Sequence, residues 1–256
     1  MILDECAVLV SGGASGLGEA SAIALAETGA DVTIIDVDME RGPKVAASIG
    51  GSFIRADVTD EVEVGAAVAA IADKGVALRA VVNCAGITNL WGGRLVGREG
   101  EPMPLEPYRR LLDVNLVGTF NVMRLAAALI AKGEPMEDGA RGVIVNTASI
   151  AAFEGQVSQI AYAASKGGVV AMTLPAARDL AAYGIRVCTI APGIFATPLV
   201  AAMPEHHRGA LTEGVVFPHR AGKPSEFAQL ARCIIENDFL NGEVIRLDGA
   251  LRLSRK

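Results

Sequence analysis

The chain has 256 residues, of which 51% are hydrophobic, 20% charged and 4% aromatic, and its net charge at pH 7 is −6. This composition excludes a disordered protein, and the acidic charge gives no general attraction to nucleic acid or anionic lipid. No apolar run reaches the roughly 18 residues that span a membrane, and the four cysteines are too scattered for a zinc site or a disulfide framework. The N-terminus is typical of neither a signal nor a transit peptide, so we expect a cytoplasmic protein without a metal site, nucleic-acid partner or membrane partner.

Short apolar runs alternate with alanine-rich stretches along nearly the whole chain. Seven runs predict strands: Ala7–Val10, Asp31–Asp36, Ser52–Ala56, Ala80–Asn83, Gly142–Asn146, Arg186–Ile190 and Glu243–Leu247. Five stretches predict helices: Leu17–Thr28, Val62–Ala72, Pro107–Lys132, Gln159–Tyr183 and Ser225–Asn237. Because the strands are apolar throughout, both faces of the sheet should be covered. The pattern predicts one α/β domain over residues 1–256, a Rossmann-type doubly wound fold with a seven-stranded, mostly parallel sheet and helices on both faces.

Two irregular stretches, Thr88–Pro107 and Pro192–Pro224, interrupt this alternation. Doubly wound sheets carry their binding sites on the loops that follow strands. We therefore expect the second stretch, residues 192–224, to form a substrate loop.

A glycine-rich loop, residues 11–18, directly follows the first predicted strand and opens the first predicted helix. Gly12 permits a tight turn, Gly16 allows the backbone to approach a diphosphate, and Gly18 allows the helix to pack closely. Free N–H groups at the helix start would then bind the diphosphate. The alternative is a glycine-rich turn that binds nothing, and the loop alone does not decide between them.

An acidic residue at the end of the second predicted strand strengthens the nucleotide interpretation. Asp36 stands 18 residues after Gly18, the position from which a carboxylate reaches the ribose hydroxyls of adenosine. The same carboxylate would repel a 2′-phosphate, and Ser15 is not a basic side chain that could pair with one. The nearest cation, Arg41, is expected at the solvated surface. We therefore predict NAD rather than NADP as the cofactor.

Tyr162 and Lys166 lie four residues apart within a predicted helix, which places them on one face. A phenol has a pKa of about 10, and a neighbouring ammonium and an oxidised nicotinamide would both lower it. Ser149, after a strand, could hydrogen-bond a substrate oxygen or could be a helix cap. Asn115 is unfavourable inside a long helix, so we expect a kink there that a bound water stabilises.

These residues together resemble the short-chain dehydrogenase/reductase family. The resemblance rests on the Gly-x-x-x-Gly-x-Gly spacing, Asn83-Cys84-Ala85-Gly86, Asn115, Ser149 and the Tyr162–Lys166 pair, and it extends from Ala7 to Gly249. It implies catalysis by Asn115, Ser149, Tyr162 and Lys166, with Asn115 holding a proton-relay water next to Lys166. It implies a cofactor site that comprises Gly12, Ser15, Gly16, Leu17, Gly18, Asp36, Asp57, Val58, Asn83, Cys84, Ala85, Gly86, Tyr162, Lys166, Pro192, Gly193, Phe195 and Thr197.

Two segments, residues 146–156 and 241–249, resemble a branch of this family that acts on 3-hydroxyacyl-CoA and also on 17β-hydroxysteroids and related alcohols. The resemblance implies NAD-dependent conversion of (S)-3-hydroxyacyl-CoA to 3-oxoacyl-CoA, with Ser149 and Tyr162 at the substrate. Gln156 and Gln159 either face the acyl group or belong to a solvated loop. A steroid or other secondary-alcohol dehydrogenase, an acetoacetyl-CoA reductase and a non-catalytic NAD sensor stay open as alternatives.

Two predicted helices, Pro107–Lys132 and Gln159–Tyr183, carry apolar or small residues around most of their circumference. One face of each helix covers the sheet, so the other face predicts a partner subunit related by a two-fold axis. The family resemblance implies a homotetramer with 222 symmetry.

Overall fold

A computed structural model describes residues 1, 3–88, 93–201 and 212–254; residues 89–92 and 202–211 of the two predicted loops lie outside the described residues. The strands are β1 Ala7–Ser11, β2 Asp31–Asp36, β3 Ser52–Arg55, β4 Leu78–Asn83, β5 Gly142–Thr147, β6 Ile185–Pro192 and β7 Val244–Leu247. They form one sheet in the order β3-β2-β1-β4-β5-β6-β7, in which every pairing is parallel. The predicted fold class and all seven predicted strands are confirmed.

Helices cover both faces of this sheet. They are α1 Gly16–Ala26, α2 Arg41–Ser48, α3 Glu61–Ala72, α4 Leu105–Leu112, α5 Thr119–Ile130, α6 Ala151–Glu154, α7 Ile160–Ala181, α8 Pro198–Ala201 and α9 Pro224–Glu236. A π-helical segment, Asp113–Gly118, joins α4 to α5, and a short 3₁₀ turn, Glu137–Gly139, precedes β5. The five predicted helices correspond to α1, α3, the α4–α5 stretch, α7 and α9.

Alternate residues of the central strands contribute to two cores, one on each face of the sheet. On one face Leu9 and Val81 pack with residues of α3, α5 and α7. On the other face Val8 and Val82 pack with residues of α1 and α9, including Phe227. Both β1 and β4 are buried along their whole length, which explains why most of their residues are apolar.

One helix, α2, was not predicted; it is eight residues long and contains Gly42 and Pro43 near its start. Proline is tolerated in a first helical turn because its missing N–H has no helical partner there. Asp38 stabilises this start, since its Oδ1 accepts the N–H groups of Glu40 and Arg41 at 3.0 and 2.9 Å. Its buried residues, Gly42, Val45 and Ala46, have helical spacing, but the helix is short and starts with Gly and Pro, so its sequence does not stand out as helical.

The stretch Leu105–Ile130 is long and apolar enough to cross a membrane by length and composition alone. More than half of its most apolar window is buried inside the protein, and a helix in a protein core passes the same test. Its buried residues include Val122 and Ala126, which pack against the sheet. Burial against the sheet therefore accounts for the apolar composition.

Candidate active site

The glycine-rich loop forms a tight turn at the carboxyl end of β1. Gly12 has a φ of +67° and Gly16 a φ of +59°, a left-handed conformation that favours glycine. A Cβ atom on Gly12 would lie 2.5 Å from the Ala85 amide nitrogen, and one on Gly18 would collide with the Gly12 carbonyl oxygen. The first two glycines are thus required by backbone conformation, and Gly18 by the close approach of α1 to the loop.

The first turn of α1 can receive an anion. Ser15 is the N-cap residue in an extended conformation, and its side chain makes no capping hydrogen bond. A helix start carries N–H groups without helical partners and a partial positive charge. Asp36 orders the loop from the other side, because its Oδ2 accepts the Ala14 N–H at 3.0 Å. These residues fit a dinucleotide whose diphosphate lies at the helix start and whose adenosine ribose lies toward Asp36.

A cleft of about 570 Å³ extends from this loop along the carboxyl ends of the strands. The predicted cofactor residues in its walls are Gly12, Ser15, Gly16, Leu17, Gly18, Asp36, Asp57, Val58, Cys84, Ala85, Gly86 and Thr197. A smaller pocket of about 170 Å³ adjoins it and shares Leu17, Cys84, Gly86 and Thr197. The predicted residues in the pocket walls are Ser149, Gln156, Gln159, Tyr162, Lys166, Pro192, Gly193 and Phe195. The two cavities together form one site with a nucleotide half and a catalytic half.

Three predicted catalytic side chains share the smaller pocket. Ser149 follows β5, and its Oγ accepts the Ala151 N–H at 3.1 Å, which leaves its O–H to donate into the pocket. Tyr162 and Lys166 lie one turn apart on α7. The Lys166 Nζ donates to the Thr147 carbonyl oxygen at 2.8 Å. Because Thr147 ends β5, this hydrogen bond connects α7 to the strand that positions Ser149.

Burial dominates the electrostatics of these groups. Lys166 is only 5% exposed, and desolvation lowers the pKa of its ammonium to about 8. Desolvation also raises the pKa of the Tyr162 phenol, although a hydrogen bond with Ser149 acts to lower it. The expected lowering of the phenol pKa is therefore not found for the protein alone, because burial disfavours phenolate more than its neighbours favour it.

Asn115 lies fully buried in the π-helical segment. Its Nδ2 donates to the Ile87 carbonyl oxygen at 2.9 Å and to Ser165 Oγ at 3.1 Å, and its Oδ1 accepts the Ile87 N–H at 2.8 Å. The predicted kink is thus a π-helix, in which hydrogen bonds to Ile87 and Ser165 hold the Asn115 side chain. The water predicted beside Asn115 stays a prediction. A Cβ atom on Gly86 would lie 3.2 Å from Asn115 Oδ1 and 3.5 Å from Lys166 Nζ. Glycine therefore keeps open the space between these two groups.

Asn83 supports the cleft from below and does not line it. Its Oδ1 accepts from Ser11 Oγ at 3.1 Å, and its Nδ2 donates to Asn146 Oδ1 at 2.9 Å. These bonds connect the ends of β1, β4 and β5. The side chain of Asn83 therefore holds the strand ends together through both of its polar atoms. The contact of Asn83 with the cofactor stays a prediction.

The two glutamines are half-buried wall residues of the catalytic pocket rather than a solvated loop. Gln159 Oε1 accepts the Gln156 N–H at 3.1 Å, and Gln156 Nε2 donates to the Ser254 carbonyl oxygen at 3.2 Å. These bonds leave one polar atom of each side chain for a ligand. The hydrogen bond of Gln156 also connects the segment 251–254 to the pocket.

Several wall residues were missed, among them Arg55 in the cleft and Leu253 in the pocket. Leu253 is held by its own N–H, which donates to Glu154 Oε2 at 2.9 Å, while Arg246 pairs with the same carboxylate at 2.9 Å. Neither residue belongs to a recognisable motif, and their positions follow only from the fold. Within the described ranges, no three His, Cys, Asp or Glu side chains gather where they could hold a metal ion.

Comparison with known proteins identifies the family. A family model described as short chain dehydrogenase matches residues 6–208. The chain is 52% identical over 247 residues to a 3-hydroxyacyl-CoA dehydrogenase type-2 of Drosophila melanogaster, with 96% of each chain covered. It is 51% identical over 253 residues to the enzyme of the same name from Homo sapiens, with 96% of this chain and 94% of the relative covered.

A solved structure agrees with these sequence matches. The crystal structure of 3-hydroxyacyl-CoA dehydrogenase type-2 from Mycobacterium avium superimposes with a TM-score of 0.92 at 44% identity, covering 98% of this chain and 97% of the other. The resemblance noted from the glycine loop and the Tyr162–Lys166 pair is thus confirmed. The chain belongs to the short-chain dehydrogenase family of oxidoreductases.

Proposed function

We propose that the protein is an NAD-dependent dehydrogenase that interconverts (S)-3-hydroxyacyl-CoA and 3-oxoacyl-CoA. The observation that carries the proposal is the position of Ser149, Tyr162 and Lys166 in one pocket that opens into the nucleotide cleft. The substrate class is supported by the relatives named above, each of which is a 3-hydroxyacyl-CoA dehydrogenase type-2. Asp36, at the ribose end of the cleft, supports NAD over NADP.

The protein's own residues handle the proton, while bound NAD supplies a hydride acceptor. Ser149 donates a hydrogen bond to the substrate oxygen and so fixes its distance from Tyr162. Tyr162 takes the hydroxyl proton during oxidation and returns it during reduction. The Lys166 ammonium, held in place by the Thr147 carbonyl, supplies positive charge that favours the phenolate. Asn115 helps to position Tyr162 and Lys166, because its side chain connects the Ile87 backbone to Ser165 on the same helix, α7.

Initial rates with purified protein test this proposal. Oxidation of (S)-3-hydroxybutyryl-CoA with NAD, and reduction of acetoacetyl-CoA with NADH, should give a higher kcat/KM than any member of a 17β-hydroxysteroid panel. A higher value with a steroid would favour the alternative alcohol dehydrogenase. Unchanged absorbance of the reduced cofactor with every substrate would instead indicate an NAD-binding sensor.

Assembly as a homotetramer is part of the proposal. Large apolar side chains of the two helical stretches stay exposed in the single chain, including Val117 and Phe120 at 49% each and Leu174 at 45%. The two stretches contact each other through the π-helical segment and α7, and apolar side chains grouped at a surface are typical of protein–protein contacts. Sedimentation at micromolar concentration and neutral pH should give a tetramer mass. A monomer mass would contradict the assembly and leave the catalytic proposal intact.

The proposed location is the cytoplasm. All four cysteines lie in described residues, and none forms a disulfide, which suits a reducing compartment. Fractionation of the source cells with an antibody to the protein tests this, and recovery from an organelle or the medium would contradict it.

A further inference from the structure

The ribose end of the nucleotide cleft contains a cation, Arg55, that belongs to none of the predicted site residues. Arg55 lines the cleft next to Asp36, and the two are register partners on the neighbouring parallel strands β3 and β2. Register partners on adjacent strands lie about 5 Å apart and point to the same face of the sheet. A guanidinium beside the adenosine ribose is the group that could bind a 2′-phosphate. Arg55 alone would therefore favour NADP.

The Arg55 guanidinium is already paired with a carboxylate on the following helix, α3. Glu63, in the first turn of α3, forms an ion pair with Arg55 through Oε1. Its Oε2 accepts the Asp57 N–H at 2.7 Å. Its own N–H donates to Asp60 Oδ1 at 3.1 Å, and a helix start favours a negative charge. Glu63 is thus fixed from three sides, and it holds the guanidinium in one place.

We infer that Glu63 is a second determinant of cofactor choice, which acts against NADP by holding Arg55. To bind a 2′-phosphate, Arg55 would have to leave Glu63. The phosphate would then lie beside the Asp36 carboxylate, and the Glu63 carboxylate would lose its cation. Glu63 cannot withdraw from the phosphate without losing the Asp57 hydrogen bond. NAD has no phosphate at this position, so it leaves the ion pair in place. The inference rests on the proposed use of NAD and extends it to a residue outside the motifs.

Fluorescence titration with NADH and NADPH measures the effect without any substrate. The Asp36→Ala variant provides the background, because removal of the first carboxylate should make NADPH binding measurable. Adding Glu63→Gln should lower the Kd for NADPH by about a further tenfold, equivalent to about 1.4 kcal/mol, and leave the Kd for NADH unchanged. Glutamine keeps an oxygen that can accept the Asp57 N–H, so the adenine end of the cleft should stay in place.

Two further variants isolate the mechanism. Adding Arg55→Gln to the double variant should abolish the gain in NADPH binding, since the released cation is its source. Glu61→Gln serves as the matched control, because Glu61 lies in the same helical turn and pairs with Arg124 instead. An unchanged NADPH-to-NADH ratio on Glu63→Gln, or a gain that survives without Arg55, would overturn the inference. A wild-type protein that prefers NADPH would instead overturn the proposed cofactor.

Discussion

The two halves of the site are built from different materials. The nucleotide half consists largely of backbone: a loop with two left-handed glycines, a helix start and the ends of parallel strands. The catalytic half consists of side chains from β5, α7 and the segment 251–254, with the π-helical segment behind them. In the nucleotide half, the backbone is packed so closely at Gly18 that a Cβ atom there would collide with the Gly12 carbonyl oxygen. The catalytic half depends instead on the functional groups of particular side chains. Steric changes should therefore damage the first half and chemical changes the second.

The largest expected effect follows from removing one oxygen atom in the catalytic half. Tyr162→Phe should lower kcat by at least about a hundredfold, because the proton acceptor is lost while the ring still fills its place. The Kd for NADH, measured by fluorescence titration, should stay the same. Tyr183→Phe is the control, since Tyr183 is exposed beyond the end of α7 and its loss should leave both values unchanged. Turnover near the wild-type rate in Tyr162→Phe would remove Tyr162 from its proposed role.

The next largest effect is expected in the nucleotide half, where adding one methyl group at Gly18 should weaken NADH binding. In Gly18→Ala the new Cβ atom collides with the Gly12 carbonyl oxygen, so the loop must shift and the Kd for NADH should rise at least about tenfold, or about 1.4 kcal/mol. Gly65→Ala offers the matched contrast, because a Cβ atom there meets nothing within 4 Å and Gly65 lies inside α3. That variant should raise the free energy of unfolding by about 0.5–1 kcal/mol and leave NADH binding unchanged. Equal NADH affinities for both variants would contradict the steric account.

The buried ammonium predicts a pH dependence of stability in the catalytic half. Burial lowers the Lys166 pKa from 10.5 to about 8, so above pH 8 the unfolded chain binds more protons at this group than the folded one. Below pH 8 the buried Lys166 carries its charge, and the full desolvation penalty lowers the free energy of unfolding. This penalty disappears as the pH rises from 8 toward 10.5, so the folded state becomes more stable. From pH 7 to pH 9, wild type should therefore gain about 1 kcal/mol of unfolding free energy relative to Lys166→Met. Denaturant melts at both pH values measure this difference, and parallel curves for the two proteins would contradict it.

The smallest expected effect concerns the wall that the segment 251–254 adds to the pocket. Leu253→Ala should raise KM for the acyl substrate by about threefold, equivalent to about 0.6 kcal/mol of lost apolar contact, with kcat and NADH binding unchanged. Phe239→Ala is a suitable control, because Phe239 is fully exposed and lines neither cavity. A fall in kcat without a change in KM would place Leu253 outside the substrate wall.

The same contrast explains what the sequence could predict. The glycine loop is contiguous, and Asp36 follows it at a spacing typical of nucleotide-binding folds. Gly12 and Gly16 adopt left-handed backbone conformations, a local requirement that the sequence shows directly. Strands such as β1 were predictable because burial on both faces makes nearly all of their residues apolar. The Thr147 carbonyl that holds Lys166 has no sequence signal, since every residue carries one. Arg55 and Leu253 reach the site only through strand order and chain path, and both were missed.

The π-helical segment also sets the rotation of one helix relative to the next. Through it, α4 packs on α7 while α5 packs on β4 and α3. Each residue added to or removed from a helix turns everything on one side by about 100° relative to the other. Deleting one residue within 113–118 would therefore turn α4 away from α7 and Asn115 away from Ile87. A substitution in this segment keeps the number of residues and so does not cause this rotation. Selection on this segment should act on its length as strictly as on its composition, so that related chains differ here by replacement and not by insertion or deletion.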